Sequence, residues 1–359
     1  MTEFEDFIFE GRWIIGVRTS KGEARCDWVV VSHLLHSPCT ICSLASTILQ
    51  EGQETVLDVL KLKLLSVEAN HLANSAILIV WDLRLPRALL AICTGGGLAI
   101  CGAAMQAITQ NELADPYILG VSSGAAAMAS LAFFLGGFFS TTLVVQGFAF
   151  CGAIVALLFV WTVGLSKSGG SARLVLVGMA VSIVMSAASQ LFITLSSVNT
   201  TRNITMWMMG SLSSARWDNI LAPLIASGLG LVILWAFYRS YNLISLGDET
   251  AIGLGVNAEK LKKFTGVVAA LVSGIIVSTC GIIGLVGFVI PHIVRAIAGS
   301  NHSRLFPISF LVGGVFLLWM DLLARFVMSP QEVPIGIFTA LCGGPFFVWL
   351  LYRQTRGKK

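Results

Sequence analysis

Nine apolar stretches, each long enough to cross a lipid bilayer as a helix, constrain the fold of this chain more than any other feature. A membrane-spanning helix needs about 20 mostly apolar residues. Hydrophobic residues make up 56% of the 359 residues and charged residues only 12%, whereas a soluble domain carries about 25% charged residues. The chain is therefore predicted to be an all-α membrane protein. The nine spans lie near residues 88–106, 118–135, 143–165, 174–195, 218–238, 264–281, 282–298, 307–326 and 335–352.

The distribution of basic residues sets the expected direction of these spans. Cytoplasmic loops carry an excess of Lys and Arg, and a cytoplasmic C-terminal tail (353–359) places most of the loop Lys and Arg inside. Nine spans with the C-terminus inside require a tenth span upstream. The candidate is 28–49, which is interrupted by Pro38. We therefore expect ten transmembrane helices, of which the first is atypical and belongs to a distinct N-terminal segment, residues 1–50.

The motif Leu-Arg-Leu-Pro-Arg (83–87) stands at the outer mouth of an apolar, glycine-rich helix. Arg84 and Arg87 have two interpretations: a pair of exposed cations that bind carboxylates of a soluble partner, or membrane-interface anchors that extend to the headgroups. Arg325 lies at the outer end of the span 307–326, the ninth of the expected ten, and follows Asp321 by four residues. This spacing places both side chains on one helix face, where the carboxylate either orients the arginine or only neutralises it.

A polar elbow and a polar loop interrupt the apolar pattern on the cytoplasmic side. In the elbow, 110–120, Asn111 and Asp115 suit helix caps and Pro116 suits a first helical turn; a gate is the alternative interpretation. The loop 245–264 carries apolar residues at near-helical spacing, around Gly253 and Gly255. It is expected to form either two short helices with an apolar knob for a cytoplasmic partner or a solvated loop.

Motifs of several enzyme and cofactor classes are missing from the sequence. It contains no GxxxxGK phosphate loop followed by Ser or Thr, no HExxH and no GxSxG, so neither an enzyme nor a cofactor is predicted. The net charge of +4 is scattered, which argues against nucleic-acid binding. Four residues near the N-terminus are spaced three apart, and steps of three drift by about 60° around a helix, so no metal site is predicted. They are His33, His36, Cys39 and Cys42.

Four sequence blocks together resemble the permeases of iron-siderophore, haem and cobalamin ABC importers, the type II importers. The blocks are LRLPRALLA (83–91), GAAMQAITQNELADPYILGVSSGA (102–125), GIIGLVGFVIPHIVR (281–295) and MDLLARFVMSPQEVPIGIFTALCGGPFFVWLL (320–351). Their order and spacing are those of the family. The resemblance runs from about residue 52 to 355, so residues 51–359 are expected to form the permease domain.

The resemblance implies partners and roles for particular residues. It implies a second copy of the chain, a cytoplasmic ABC ATPase dimer, an extracytoplasmic substrate-binding protein and a lipid environment, the bacterial plasma membrane. The residues that match the family's docking positions are Arg84, Arg87 and Arg325, with Asp321 beside them. The residues that match the coupling segment are Asp248, Ala251, Gly253, Leu254, Gly255 and Lys260. The residues that match the cytoplasmic gate are Asn111, Leu113, Ser171 and Ala172.

The sequence departs from the family pattern at two places, and two alternative functions are still possible at this point. Glu112 stands where the family's elbow has its first proline, and residues 1–50 lack the family's clean apolar first span. An ion-driven carrier would show deep acids or broken helices at mid-membrane, and the sequence shows neither convincingly. A membrane scaffold that moves nothing is the other alternative.

Overall fold

The structure is a computed structural model that describes Val59, Lys63 and residues 77–136, 139, 141–164, 171–328 and 331–356. Every long regular element in these residues is helical. A π-helical turn, Leu78–Arg84, leads into the first of twelve α-helices in the described part of the chain. They are α1 (Leu85–Thr109), α2 (Val121–Leu135), α3 (Thr142–Gly164), α4 (Ser171–Leu195), α5 (Val198–Met208), α6 (Trp217–Ala236), α7 (Tyr238–Ile244), α8 (Asp248–Gly253), α9 (Ala258–Cys280), α10 (Val286–Ala298), α11 (His302–Phe326) and α12 (Ile335–Arg356).

Each of the nine predicted spans coincides with one of these helices. Six helical segments are long and apolar enough to cross a membrane, and three shorter apolar helices correspond to α2, α10 and most of α12. The candidate first span, 28–49, lies outside the described residues, as do His33, His36, Cys39 and Cys42. The total of ten spans and the boundary at residue 50 therefore stay predictions.

Helix α1 is the centre of the fold. It packs against α6, α9, α10 and α11. Of its most apolar stretch of 18 residues, 89% is buried within the chain. Glycines allow this close packing, because a Cβ at Gly95 would lie 2.1 Å from the carbonyl oxygen of Gly313 on α11. A Cβ at Gly102 would lie 1.8 Å from the carbonyl oxygen of Gly287 on α10. Small residues let helices approach in this way in lipid, where no hydrophobic effect drives them together.

Helix α4 lies at the opposite extreme of burial. Of its most apolar stretch of 18 residues, only 11% is buried within the chain. Its large side chains point outward, and Leu176 and Ile183 are 65% and 69% exposed. A helix this apolar needs lipid or another protein surface around it. The single chain leaves most of α4 available for such a contact.

A break between α9 and α10 occurs inside the bundle. Helix α9 ends at Cys280, whose Sγ lies 3.4 Å from Thr94 Oγ1, near the middle of α1. The chain then runs without helix to Leu285, and Tyr117 donates a hydrogen bond to the carbonyl of Ile283 (3.0 Å). The sequence analysis placed the boundary between two spans at residues 281 and 282, and the break lies at that boundary.

The end of α9 is hydrogen-bonded to the segment that follows α5, and that segment is in turn hydrogen-bonded to the start of α12. Ser211 N donates to Cys280 O (2.8 Å), Ile335 N donates to Gly210 O (3.1 Å) and Gly336 N donates to Met209 O (3.2 Å). Non-helical backbone is tolerated within a membrane only where such groups find partners. The ends of α5 and α9 and the start of α12 therefore form one hydrogen-bonded junction.

The contact of Gly102 with Gly287 predicts a stability effect. Replacing Gly102 with Ala forces a Cβ onto backbone and should destabilise the fold by at least about 1–3 kcal/mol, the usual cost of overpacking. The measurement is the thermal unfolding midpoint of the purified protein in detergent.

Gly228→Ala is the matched control. Among the described residues, no heavy atom lies within 4 Å of the position of a Cβ at Gly228, so this variant should unfold close to the wild-type temperature. Equal midpoints for the two variants would contradict the close approach of α1 and α10.

Candidate functional site

A buried ion cluster joins α1 and α11 at their outer ends. Arg87 Nε donates to both carboxylate oxygens of Asp321 (2.9 and 3.1 Å), and Arg87 Nη2 lies 2.9 Å from Asp321 Oδ1. The Asp321 side chain is only 1% exposed and that of Arg87 is 13% exposed. Because a buried carboxylate is stable only with compensating charge, Arg87 is part of the structure that holds these two helices together.

Two further charged residues complete this cluster. Arg325 Nε lies 3.3 Å from Asp321 Oδ2, four residues along the same helix, which confirms the predicted pair. Glu332, in the segment before α12, accepts two hydrogen bonds from Arg87 Nη1 (2.8 and 3.0 Å). Arg84 lies one turn before Arg87 and is half-buried.

The sequence placed the arginines but not their partners. Arg87 is not the exposed cation that one interpretation required, because Asp321 and Glu332 hold it. Asp321 is too deeply buried to touch a partner, so its part at this surface is to position Arg87 and Arg325. The i,i+4 spacing revealed one pair, whereas the partners of Arg87 lie 234 and 245 residues away along the chain. No local pattern indicates contacts at that separation.

The elbow between α1 and α2 has one of the two caps that the sequence predicted. Asn111 Oδ1 accepts from Leu113 N (2.9 Å) and Asp115 Oδ1 accepts from Tyr117 N (2.9 Å). Pro116 begins a 3₁₀ turn, Pro116–Leu119. Burial raises the pKa of Asp115 to about 6, and the hydrogen bond from Tyr117 N opposes that rise. The capping interpretation is confirmed for Asp115, whereas Asn111 stabilises a turn and caps no helix. The gate interpretation stays a prediction.

The elbow also contacts α10 and α12, the helices opposite it. Leu113 packs against a small apolar cluster that includes Phe288 and Leu350. Glu112, the residue that departs from the family pattern, has Oε2 3.7 Å from His292 Nδ1. The other two gate candidates, Ser171 and Ala172, begin α4, and their side chains are outside the described part of the structure.

Ile252 and the coupling candidate Leu254 form an apolar knob at the surface of the chain. Ile252 and Leu254 are 61% and 59% exposed, whereas Ala251, which also matches the coupling segment, is fully buried and is not part of the exposed surface. Helix α8 ends at Gly253, and Gly255 has φ +86°, a conformation that favours glycine. The other coupling candidates are Asp248, at the start of α8, and Lys260, which is exposed in the first turn of α9.

The expected pair of short helices is also corrected by the structure. Only α8 is short, because the second helix continues from Ala258 to Cys280 as α9. Asn257 caps it by accepting a hydrogen bond from Lys260 N (2.9 Å). The knob is therefore joined directly to a long helix that packs against α1.

A hydrogen-bonded link connects this knob to the elbow. Gln110 Nε2 donates to Asp248 Oδ1 (2.9 Å) and to the carbonyl of Ile244 (3.1 Å). Lys262 forms an ion pair with the same aspartate. Gln110 itself has φ +53° and ends α1. No local sequence pattern predicts this link, because Gln110 has no feature that distinguishes it from other polar residues of the elbow.

The chain belongs to the FecCD transport family, whose pattern it matches over residues 39–353. The match begins at residue 39, within the segment that the sequence analysis set apart. The chain is 38% identical to the hemin transport system permease protein HmuU of Yersinia pestis, over 79% of this chain and 86% of that protein. It is 37% identical to the Fe(3+)-citrate import system permease protein YfmD of Bacillus subtilis, over 76% and 81% of the two chains.

A third relative and a solved structure agree with this family. The chain is 39% identical to the cobalamin import system permease protein BtuC of Halobacterium salinarum, over 77% of this chain and 74% of that protein. It is also similar to an ABC transporter of the metal-chelate type in an inward-facing conformation, with TM-score 0.75, 29% identity and coverage of 90% and 99%. The chain is thus a multi-pass membrane protein of an ABC transport permease family.

The ion cluster predicts unequal effects for its two acids. Asp321→Asn removes the negative charge that Arg87 and Arg325 share and leaves both arginines buried. It should therefore destabilise the fold by about 3–5 kcal/mol. Glu332→Gln removes a charge whose side chain is 42% exposed and should cost no more than about 1 kcal/mol.

Thermal unfolding of both variants in the same detergent checks this order. Each substitution replaces a carboxylate by an amide of nearly equal size, so one variant controls for the other. The account of the cluster fails if Asp321→Asn is as stable as Glu332→Gln.

Proposed function

We propose that this chain is the permease subunit of an ATP-driven importer that moves an iron-siderophore, or a related metal chelate such as haem or cobalamin, into the cytoplasm. The observation that carries the proposal is the family match over residues 39–353, with relatives named for hemin, Fe(3+)-citrate and cobalamin. The proposed location is the bacterial plasma membrane, and a separate ATPase subunit hydrolyses ATP.

The outer arginine cluster is proposed as the docking surface for a substrate-binding protein. Arginine binds carboxylates in a bidentate geometry, so acidic side chains on the binding protein are the expected counterparts. Arg84 and Arg325 flank Arg87, and Asp321 fixes Arg87 and Arg325 in place. A surface whose cations are already oriented loses little side-chain freedom on binding.

On the cytoplasmic side, the knob of Ile252 and Leu254 is proposed to insert into the ATPase dimer. The bond between Gln110 and Asp248 would pass a displacement of α8 to the elbow, and Leu113 would open or close the inner mouth against α10 and α12. This is a rigid-body gating motion of packed helices. The outward-facing apolar surface of α4 is proposed to face a second copy of the chain across the transport path, and the remaining apolar surface to face lipid.

An ion-driven carrier is the alternative that one observation favours, because the break between α9 and α10 resembles the discontinuous helices of such carriers. Uptake of a radiolabelled iron chelate into proteoliposomes that contain the permease, its ATPase and its binding protein separates the two. Uptake must stop when ATP hydrolysis is blocked and must continue when ion gradients are collapsed. The reverse result would refute the proposed ATP-driven function, and no uptake under either condition would favour the scaffold.

The docking proposal predicts that Arg84→Glu lowers uptake at least about tenfold, because a like charge would face the carboxylates of the binding protein. Arg84 is preferable to Arg87 for charge reversal, since a glutamate at 87 would stand beside buried Asp321. The measurements are chelate uptake and binding-protein affinity, with thermal unfolding as the check on folding.

Arg202→Glu provides the matched control, because Arg202 is exposed on α5 and lies outside the cluster. It should retain uptake and binding-protein affinity close to the wild type. Normal docking of Arg84→Glu would sink the assignment of this surface.

The coupling proposal predicts that Leu254→Asp prevents assembly with the ATPase, because a charge replaces an exposed apolar contact of the knob and would have to be desolvated. The measurement is the ratio of ATPase to permease after affinity purification of the full complex. Val198→Asp is the control, since Val198 is 87% exposed on the outer side. If ATPase recovery is the same for both variants, the knob does not bind the ATPase.

A further inference from the structure

We propose that Glu332 is an internal carboxylate that occupies Arg87 until a carboxylate of the docking protein replaces it. This inference rests on the proposed docking function and adds a second state to the docking surface. In the structure described here Arg87 is fully engaged within its own chain, by Asp321 on one side and by Glu332 on the other. An incoming carboxylate must therefore displace one of them.

The geometry decides which of the two acids is displaced. Asp321 takes Nε and Nη2 of Arg87, is 1% exposed and also holds Arg325. Glu332 takes only Nη1, through both of its oxygens, and is 42% exposed. Water and a partner reach Glu332 and not Asp321. An ion pair at the surface is weak because solvent competes with it. Displacing Glu332 from Nη1 therefore costs less free energy than displacing Asp321.

The structure also provides a place for the displaced side chain. Glu332 lines a cavity of about 310 Å³ whose wall includes the hydroxyl-bearing residues Ser211, Ser213 and Thr279. Thr279 Oγ1 donates to the carbonyl of Ile275 (3.0 Å), and the hydroxyls of Ser211 and Ser213 share one hydrogen bond (2.8 Å). The second hydrogen of this serine pair is therefore the donor that can receive a carboxylate. The backbone on either side of Glu332 is anchored, because Gln331 N donates to Met328 O (2.9 Å) and Val333 N donates to Ala324 O (3.1 Å). A rotation of the side chain is sufficient for the exchange.

An internal competitor of this kind raises selectivity. A single weak carboxylate, from a peptide or a small acid, gains little at Arg87 because it must first remove Glu332. A partner that presents several carboxylates to Arg84, Arg87 and Arg325 together overcomes that competition. Specificity arises from the difference between these two affinities, at the cost of some strength in the correct complex.

The test is the affinity of the purified full-length protein, in lipid nanodiscs at low ionic strength, for a fluorescent hexaglutamate peptide. Glu332→Gln and Glu332→Ala should each bind the peptide about three- to tenfold more tightly than the wild type, because Nη1 of Arg87 becomes available for a charge-assisted bond. Asp82→Asn is the matched control, since it removes the same charge two residues before Arg84. Its gain should be smaller.

Repeating these measurements in an Arg87→Gln background isolates the pair. In that background, the increase in peptide affinity caused by the Glu332 substitutions should be no larger than the increase caused by Asp82→Asn. Equal gains for Glu332→Gln and Asp82→Asn in the wild-type background, or a gain that persists without Arg87, would overturn the inference. Weaker binding by both Glu332 variants would overturn it as well, by showing that Glu332 supports the site.

Failure of this inference is distinguishable from failure of the docking proposal. The peptide experiment reports on Arg87 without any binding protein, whereas the uptake of Arg84→Glu reports on docking without changing Glu332. If the peptide affinity does not respond to Glu332, docking by the arginines still stands. If Arg84→Glu takes up chelate normally, the docking function falls whatever the peptide shows.

Discussion

The carboxylate of Asp321 is the contact on which the outer half of this structure depends. It is almost completely buried and bonds two arginines, Arg87 from α1 and Arg325 from its own helix. Separating any of these charges would leave another uncompensated in an apolar surrounding, which is costly. Deeper in the membrane the same two helices meet at Gly95 and Gly313, where there is no space for a Cβ. Charge at the surface and close backbone contact below it thus hold α1 and α11 as one unit.

Helix α1 connects the two surfaces that the proposed function requires. Arg87 lies in its first turn, and Gln110, which follows its last residue, bonds Asp248 at the start of the coupling segment. Between them the helix is buried against four others. A close-packed helix transmits a displacement rather than absorbing it, because packed interfaces do not deform continuously. An event at either end therefore has a direct mechanical route to the other.

Local patterns predicted the parts of this structure that depend on local physics. Apolar length located the nine helices, the i,i+4 spacing located the pair of Asp321 and Arg325, and side chains suited to capping located the elbow. The contacts that create the sites are not local. Arg87 with Glu332 and Gln110 with Asp248 each join distant parts of the chain. Ala251 shows the same limit, since its burial depends on helices packed around it and not on its neighbours in sequence.

The break between α9 and α10 shows why a structural feature and a function must be argued separately. Discontinuous helices are typical of ion-driven carriers, where their ends and nearby acids bind the coupling ion. Here the carbonyl of Cys280, where α9 ends, accepts a hydrogen bond from Ser211 N, and the carbonyl of Ile283 accepts one from Tyr117. Asp115, the buried acid of the elbow, caps the 3₁₀ turn that begins at Pro116, and buried Asp321 lies at the outer end of α11 with two guanidinium partners. An acid that is already neutralised in this way has no charge to spare for a proton or a sodium ion. Under the proposed function, the free energy for transport therefore enters at the exposed knob of Ile252 and Leu254 and not at the break.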